Sequence, residues 1–127
     1  MKKADPISTE IIRNAFISIA QDMNAVLIRS AYTPVIYEGK DCVVALLDEK
    51  GEVLGQSSGL PLFLGNLQVC VQETAKMYGW DYFKEGDIFF VNDSFFTGTH
   101  LNDITIFAPI FWNGKLAGFS ASRAHWL

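Results

Sequence analysis

The chain has 127 residues, a formal net charge of −4 and a sequence pI near 5.0, and half of its residues are hydrophobic. That is enough for one domain, 1–127, with a substantial core, and the ten scattered Lys and Arg argue against a nucleic-acid face. No apolar run approaches the roughly 20 residues of a membrane span, and Asp5-Pro6 followed by Ser8, Thr9 and Glu10 interrupts any leader beginning at Met1-Lys2-Lys3.

Asp5 before Pro6 predicts a helix N-cap with proline at the first helical position, where its missing N–H does no harm. Ile7, Ile11, Ile12, Ala15, Phe16, Ile19, Ala20, Met23 and Leu27 then recur at helical spacing, giving a long amphipathic helix that ends before Pro34. A core-packing helix with a solvated outer face is the first expectation; a helix that meets a partner carries the same stripe. Asp41–Leu47 reads as a strand, Asp48–Gly51 as a turn, Glu52–Gln56 as a short return strand and Ser57–Pro61 as a Gly/Pro/Ser loop. A second helix is expected over Asn66–Tyr78, with Asn66 as N-cap and Gly79 as its stop. Gly86-Asp87 opens a buried strand, Ile88–Val91. Cys42 and Cys70 are isolated and apolar in context, as expected for buried free thiols in a reducing cytoplasm.

The last third of the chain carries the chemistry. Residues 104–111 and 115–121 are rich in β-branched and aromatic residues, and Asn113-Gly114 between them is a strong type I′ hairpin signal. A two-residue turn pairs Trp112 with Lys115; a regular register then sets Ile110 opposite Ala117, Ile104 opposite Arg123 and Asn102 opposite His125. The only two histidines, His100 and His125, thereby return to neighbouring strands. In a regular strand Asp103 points to the other face, so it joins them only if 99–103 is a turn. Two readings stand on spacing alone: a metal site built from two imidazoles and a carboxylate, or a strand-capping Asp103 with two ordinary, partly buried histidines. The fold class expected is α+β, in the order α-β-β-α-β-β-β, with an antiparallel sheet backed by helices as in profilin-like and GAF-like layouts.

The segment Asn92–Thr99 links two strands with turn-forming and aromatic residues, where binding residues concentrate. Asn92 and Asp93 are therefore candidate substrate contacts, although an Asx-turn explains them locally, and Gly98 is expected to supply backbone freedom before His100. Arg123 reaches solvent, pairs with an acid such as Asp93 or Asp103, or meets an anionic substrate, structural pairing being the first choice. Glu38 and Asp41 form a carboxylate pair suited to acid–base work or a metal, or are simply solvated. There is no G-x-x-x-x-G-K-[ST] loop, G-x-G-x-x-G or G-x-S-x-G elbow, so a nucleotide site, if the reaction needs one, must lie elsewhere.

In order along the chain, Asp5-Pro6 with Glu10–Ala15, Arg29-Ser30-Ala31-Tyr32-Thr33-Pro34, Glu38-Gly39-Lys40-Asp41, Leu64-Gly65-Asn66, Gly86-Asp87, Asn92-Asp93, Gly98-Thr99-His100-Leu101-Asn102-Asp103-Ile104 and Arg123-Ala124-His125 resemble one family. It is that of N-methylhydantoinase B, 5-oxoprolinase and the large subunits of acetone and acetophenone carboxylases. The resemblance covers nearly the whole chain, and the G-T-H-L-x-D-I and R-A-H elements are its most specific parts. Two departures stand out: Phe63 where many relatives have the histidine of H-L-G, and Ser94 where they have the proline of N-D-P.

The resemblance implies a metal held by His100, Asp103 and His125 with Glu38 nearby, the ion being zinc, manganese or iron. It also implies a subunit of an ATP-dependent complex acting on cyclic amides or ketones, in which ATP is bound by a hydantoinase A-type partner subunit. Relatives run on past R-A-H, so this chain is expected to be an N-terminal part of a larger B-type subunit, inactive alone, with the remainder of that larger chain as a partner. Its exposed apolar stripe is expected to drive homo-oligomerisation, with no nucleic-acid or membrane partner. Ring-opening hydrolysis is the first functional expectation and carboxylation the second. A small-molecule sensor or a non-catalytic assembly domain is the alternative from another class.

Overall fold

The computed structural model describes residues 5–58, 63, 65–97 and 99–126. The fold is α+β. Helix α1 (Pro6–Ser30) leads through the single turn α2 (Pro34–Tyr37) into strands β1 (Cys42–Asp48) and β2 (Val53–Gln56). Helix α3 (Asn66–Tyr78), a 3₁₀ turn (Trp80–Tyr82), β3 (Phe89–Val91), the one-turn helix α4 (Ser94–Thr97) and the hairpin β4 (Asp103–Trp112) and β5 (Lys115–His125) follow. The five strands form one sheet in the order β2-β1-β5-β4-β3, with every neighbouring pair antiparallel. The expected order of main elements holds, with α2, α4 and the 3₁₀ turn added between them.

Local signals explain the ends of these elements. Asp5 caps α1 by accepting from the Ser8 N–H at 3.1 Å and from the Ser8 hydroxyl at 2.9 Å, with Pro6 in the first turn. α3 starts one residue earlier than expected. Gly65, at φ +84°, is the N-cap and Asn66 is the first helical residue, because the entry requires a left-handed backbone that glycine adopts without steric cost. Gly79 ends the helix as expected, its N–H donating to Ala75 O at 2.8 Å. Part of the loop expected at Ser57–Pro61 lies outside the described residues, as does Gly98.

β1 is buried from Cys42 to Leu47 because both its faces are covered. Val43, Ala45 and Leu47 join Leu67, Cys70, Val71 and Ala75 of α3 in the main core, which also holds Phe63, Phe83, Phe107, Phe119 and Ala121. Aromatic rings lock this core together: Phe89 stacks on Phe107 with centroids 4.9 Å apart, and Phe83 meets Phe119 edge-on at 4.9 Å. Both cysteines are free and buried, as expected. Burial pushes the Cys70 thiol up to about 12 despite the nearby Arg123 charge, and burial, with help from Asp41, also raises Cys42.

Three expectations change. β3 is a short edge strand bonded only to β4; Ile88 and Phe90 are exposed, so Ile88–Val91 is not a buried strand. α1 packs on β1 and β2 yet fully buries only Ala20. Ile7, Ile11, Ile12, Ile19 and Val26 stay exposed, whereas Phe107 and Phe119 of the hairpin lie in the core.

The third change is the hairpin register, and it builds the site. Asn113 (φ +49°) and Gly114 (φ +72°) form the expected tight turn, and Trp112 pairs with Lys115. Phe111 pairs with Leu116, but Ile110 pairs with Gly118, so Ala117 is an extra residue that bulges out of the ladder. Beyond the bulge every partner moves by one. Thr105, not Ile104, faces Arg123, and Asp103, not Asn102, faces His125. Because side chains alternate along a strand, this one-residue slip turns Asp103 onto the face that carries His125.

Candidate metal centre

The site lies at the open end of the β4–β5 hairpin, away from its turn. Three backbone contacts close that end: Trp126 N–H donates to Asn102 O at 2.7 Å, His125 N–H to Asp41 O at 3.1 Å, and Asp103 N–H back to His100 O at 3.0 Å. The last of these is the turn needed to bring His100 and Asp103 to one side. The Asn102 side chain adds a bond to Trp126 O at 2.8 Å.

Asp103 is the hub. Its side chain is only 1% exposed, and both oxygens are engaged: Oδ1 lies 2.8 Å from His125 Nδ1, and Oδ2 accepts the His100 backbone N–H at 2.9 Å. The Oδ2 atom is also 3.6 Å from His100 Nδ1. The two imidazoles meet edge to face with centroids 5.9 Å apart. His125 is 21% exposed and His100 is 75% exposed, so the cluster opens to solvent on the His100 side. One ligand-type atom from each of His100, Asp103 and His125 lies within 4.8 Å of the others.

This donor set fits a divalent ion. Two nitrogens or oxygens on one zinc, each at roughly 2.0–2.2 Å, stand no more than about 4.4 Å apart. A spread of 4.8 Å lies close to that limit. Two imidazoles and one carboxylate also leave coordination positions open, as metals that activate water require.

Electrostatics favour the charged carboxylate. Burial pulls the Asp103 carboxyl upward, but the hydrogen bonds from His125 and the His100 N–H, together with the Arg123 charge, overcome it and hold the group below its ordinary value. A carboxyl depressed in the folded state stabilises the fold fully above its unfolded value, about 3.9, and that contribution is lost as pH falls through the folded value. Acid titration of metal-free protein, followed by urea unfolding, should therefore show stability falling below about pH 4. Asp103→Asn should flatten that part of the profile, and an unchanged slope would mean that Asp103 does not carry it.

The other expected site residues are placed as follows. Asp93 Oδ1 accepts the Phe95 N–H at 2.9 Å and its carbonyl accepts the Phe96 and Thr97 N–H groups, so it starts α4 as the Asx-turn reading has it. Asn92 donates to Leu101 O at 3.3 Å. Glu38 is the exposed C-cap residue of α2 and is not a member of the three-residue cluster among the described residues. Asp41 sits at the start of β1, its Oδ1 buried without a hydrogen-bond partner among the described residues. Arg123 is wholly buried and donates from Nη2 to Thr97 Oγ1 at 3.1 Å. Thr97 escapes a reading of the sequence, because its contact with Arg123 spans 26 positions and no local motif marks it.

The chain is thus an antiparallel sheet backed by helices, with a His–Asp–His cluster at the open end of its longest hairpin. The hydantoinase B/oxoprolinase family model matches residues 5–127. The chain belongs to this family. The 5-oxoprolinase of Saccharomyces cerevisiae is 35% identical to it, the match covering 95% of this chain and 9% of that protein. The caprolactamase beta chain of Pseudomonas jessenii is 28% identical over 98% of this chain and 21% of that protein. A crystal structure of the ATP-dependent caprolactamase from that organism superimposes with a TM-score of 0.79 at 25% identity, covering 98% of this chain and 21% of the solved one. Nucleotide-free acetone carboxylase superimposes with a TM-score of 0.84 at 23% identity, over 98% of this chain and 16% of the other, a likeness of fold. The chain spans between 9% and 22% of the length of the first curated relatives it matches.

Proposed function

We propose that this chain is the metal-ligating part of a B-type subunit in an ATP-dependent hydrolase of cyclic amides, with His100, Asp103 and His125 holding zinc, manganese or iron. The observation that carries the reading is the convergence of the three ligand-type atoms within 4.8 Å. An ion bound there lowers the pKa of water toward neutrality and polarises a carbonyl or phosphoryl oxygen.

The chain's own residues set up that chemistry. Asp103 contributes a carboxylate that its hydrogen bonds keep ionised, and it fixes the orientation of the His125 ring through the 2.8 Å contact. His100 stands at the exposed side, where a substrate arrives. An amide in a small ring is a poor electrophile, and phosphorylation of its oxygen supplies a leaving group. With no phosphate loop in this sequence, ATP belongs to a hydantoinase A-type partner subunit. Two relatives carry names that denote one component of several, the beta chain of a caprolactamase and the B component of a hydantoinase, and these support a multi-subunit assembly.

Hydrolysis is preferred to carboxylation because 5-oxoprolinase and caprolactamase are among the relatives matched in sequence, whereas the likeness to the acetone carboxylase structure is one of fold. The exposed apolar face of α1 supports a further role in assembly, with the remainder of the B-type chain and a second copy as its partners.

The test is an assay of ATP hydrolysis with hydantoin, 5-oxoproline or caprolactam, with and without an A-type subunit and the remaining B-type sequence. Substrate-dependent hydrolysis is expected only in the reconstituted complex, without any need for bicarbonate. Turnover by the lone chain would overturn the subunit reading, and a bicarbonate requirement would select carboxylation.

A further inference from the structure

We propose that Thr97 and Arg123 form a latch that holds His100 at the metal-ligating cluster, Arg123 being a positioning residue and not a substrate contact. The inference rests on the metal reading above.

Arg123 lies on β5 two residues before His125, and its strand partner across the hairpin is Thr105. It has no exposed surface, so a substrate does not reach it. Its Nη2 donates to Thr97 Oγ1 at 3.1 Å, its Cζ sits 5.4 Å above the centre of the Phe63 ring, and Nε and Nη1 have no hydrogen-bond partner among the described residues. The buried guanidinium has the Asp103 charge nearby, and its hydrogen bond to Thr97 ties it to α4.

The contact joins the two halves of the site. Thr97 is itself buried; its hydroxyl donates to Asp93 O at 3.1 Å, which leaves its oxygen to accept from Arg123. Asp93 in turn receives the Phe95 N–H on Oδ1. The whole turn of α4 is thus fastened to β5 through one hydrogen bond. Asp103 and His125 need no such fastening, because both lie in paired strands and face each other directly.

His100 comes from the connection between α4 and β4, three positions after Thr97, and its ring is mostly exposed. Apart from the His125 ring, its own attachments among the described residues run to Asp103: its N–H bond to Oδ2 at 2.9 Å, its carbonyl accepting the Asp103 N–H at 3.0 Å, and the Nδ1 approach at 3.6 Å. A ligand carried on a connecting segment reaches a productive geometry only when that segment is held by a supporting shell. The Arg123–Thr97 bond supplies this hold on the α4 side, as the 101–102 turn does on the β4 side.

Thr97→Val removes the hydroxyl while keeping the shape, and Thr97→Ser keeps the hydroxyl. Titration of the 127-residue chain with Co²⁺, read by its d–d absorption, should show Thr97→Val binding about 10–100-fold more weakly than the unaltered chain. Thr97→Ser should bind like the unaltered chain. In a His100→Ala background Thr97→Val should cause no further loss, since the latch acts only through that ligand. Without metal, the His100 amide should exchange faster with solvent in Thr97→Val. Equal Co²⁺ affinity in Thr97→Val, or the same loss with and without His100, overturns the latch and leaves the metal reading standing. An unaltered chain that fails to bind Co²⁺ overturns the metal reading itself, and the latch with it.

Discussion

Asp103→Asn is expected to abolish metal binding while the chain still folds. The change keeps the shape of the side chain and removes its charge and one acceptor. Metal affinity should fall by more than about a hundredfold, because loss of a supporting contact alone typically costs 10–100-fold and this residue is proposed as both ligand and support. Both carboxylate oxygens are hydrogen-bonded in the fold, one to His125 Nδ1 and one to the His100 N–H. An amide offers only one acceptor: its oxygen keeps the His100 N–H, and its NH₂ donates to His125 Nδ1 in the Nε2–H tautomer. The fold should lose about 1–2 kcal/mol because both bonds lose the charge of the carboxylate. Calorimetric titration with Mn²⁺ or Zn²⁺ and urea unfolding at neutral pH measure the two effects separately. Retained metal affinity in Asp103→Asn would reduce the cluster to a strand cap with two neighbouring histidines.

How this site emerges from the sequence depends on a single bulged residue. The Asn113-Gly114 turn is written plainly in the residue types, and so are the Asp5-Pro6 start of α1 and the Gly79 stop of α3. Each is a local matter of backbone geometry. The register beyond the turn is not local. A regular ladder carried back from Trp112 and Lys115 places Asp103 on the wrong face, and the motif resemblance that groups it with His100 and His125 then conflicts with the parity of the strand. The bulge at Ala117 removes the conflict. A signal for it was present, since Gly118 lies inside an otherwise strand-forming run, and an interior glycine commonly marks a bulge or a close approach of another backbone.

Other features could not be read from patterns of residue types at all. The stripe on α1 shows that one face is apolar but not what covers it, and the sheet of this chain covers only part of it. Ile88–Val91 is apolar enough for an interior strand, yet its place at the edge follows from the order of strands and not from its composition. Arg123 and Thr97 are 26 positions apart, and each alone has several ordinary roles. The fold class, the main elements and the chemical identity of the candidate ligands were therefore open to a reading of the sequence. Register, coverage and long-range polar contacts were not.

The same bulged segment yields the largest expected effect on the fold itself. Gly118→Ala should destabilise the chain by more than about 4 kcal/mol, at the exceptional end for a single substitution. A Cβ built on Gly118 falls 2.2 Å from the Leu47 carbonyl oxygen and 3.4 Å from its carbon. That oxygen belongs to the backbone of β1, buried in the middle of the sheet, and cannot turn aside as a flexible side chain would. Relief requires β1 and β5 to part around the Leu47–Phe119 and Asp48–Gly118 pairs, next to the point where the Phe83 ring packs on Phe119. Parting there also disturbs the bulge at Ala117 and, through the register, the pairing of Asp103 with His125. Gly114→Ala is the contrasting control. At φ +72° it carries backbone strain, but no atom lies within 4 Å of the added carbon, so its cost should stay near about 1 kcal/mol. Thermal and urea unfolding of the two variants would separate steric overlap from backbone strain. A Gly118→Ala protein as stable as Gly114→Ala would show that β1 and β5 do not approach as closely as this register requires.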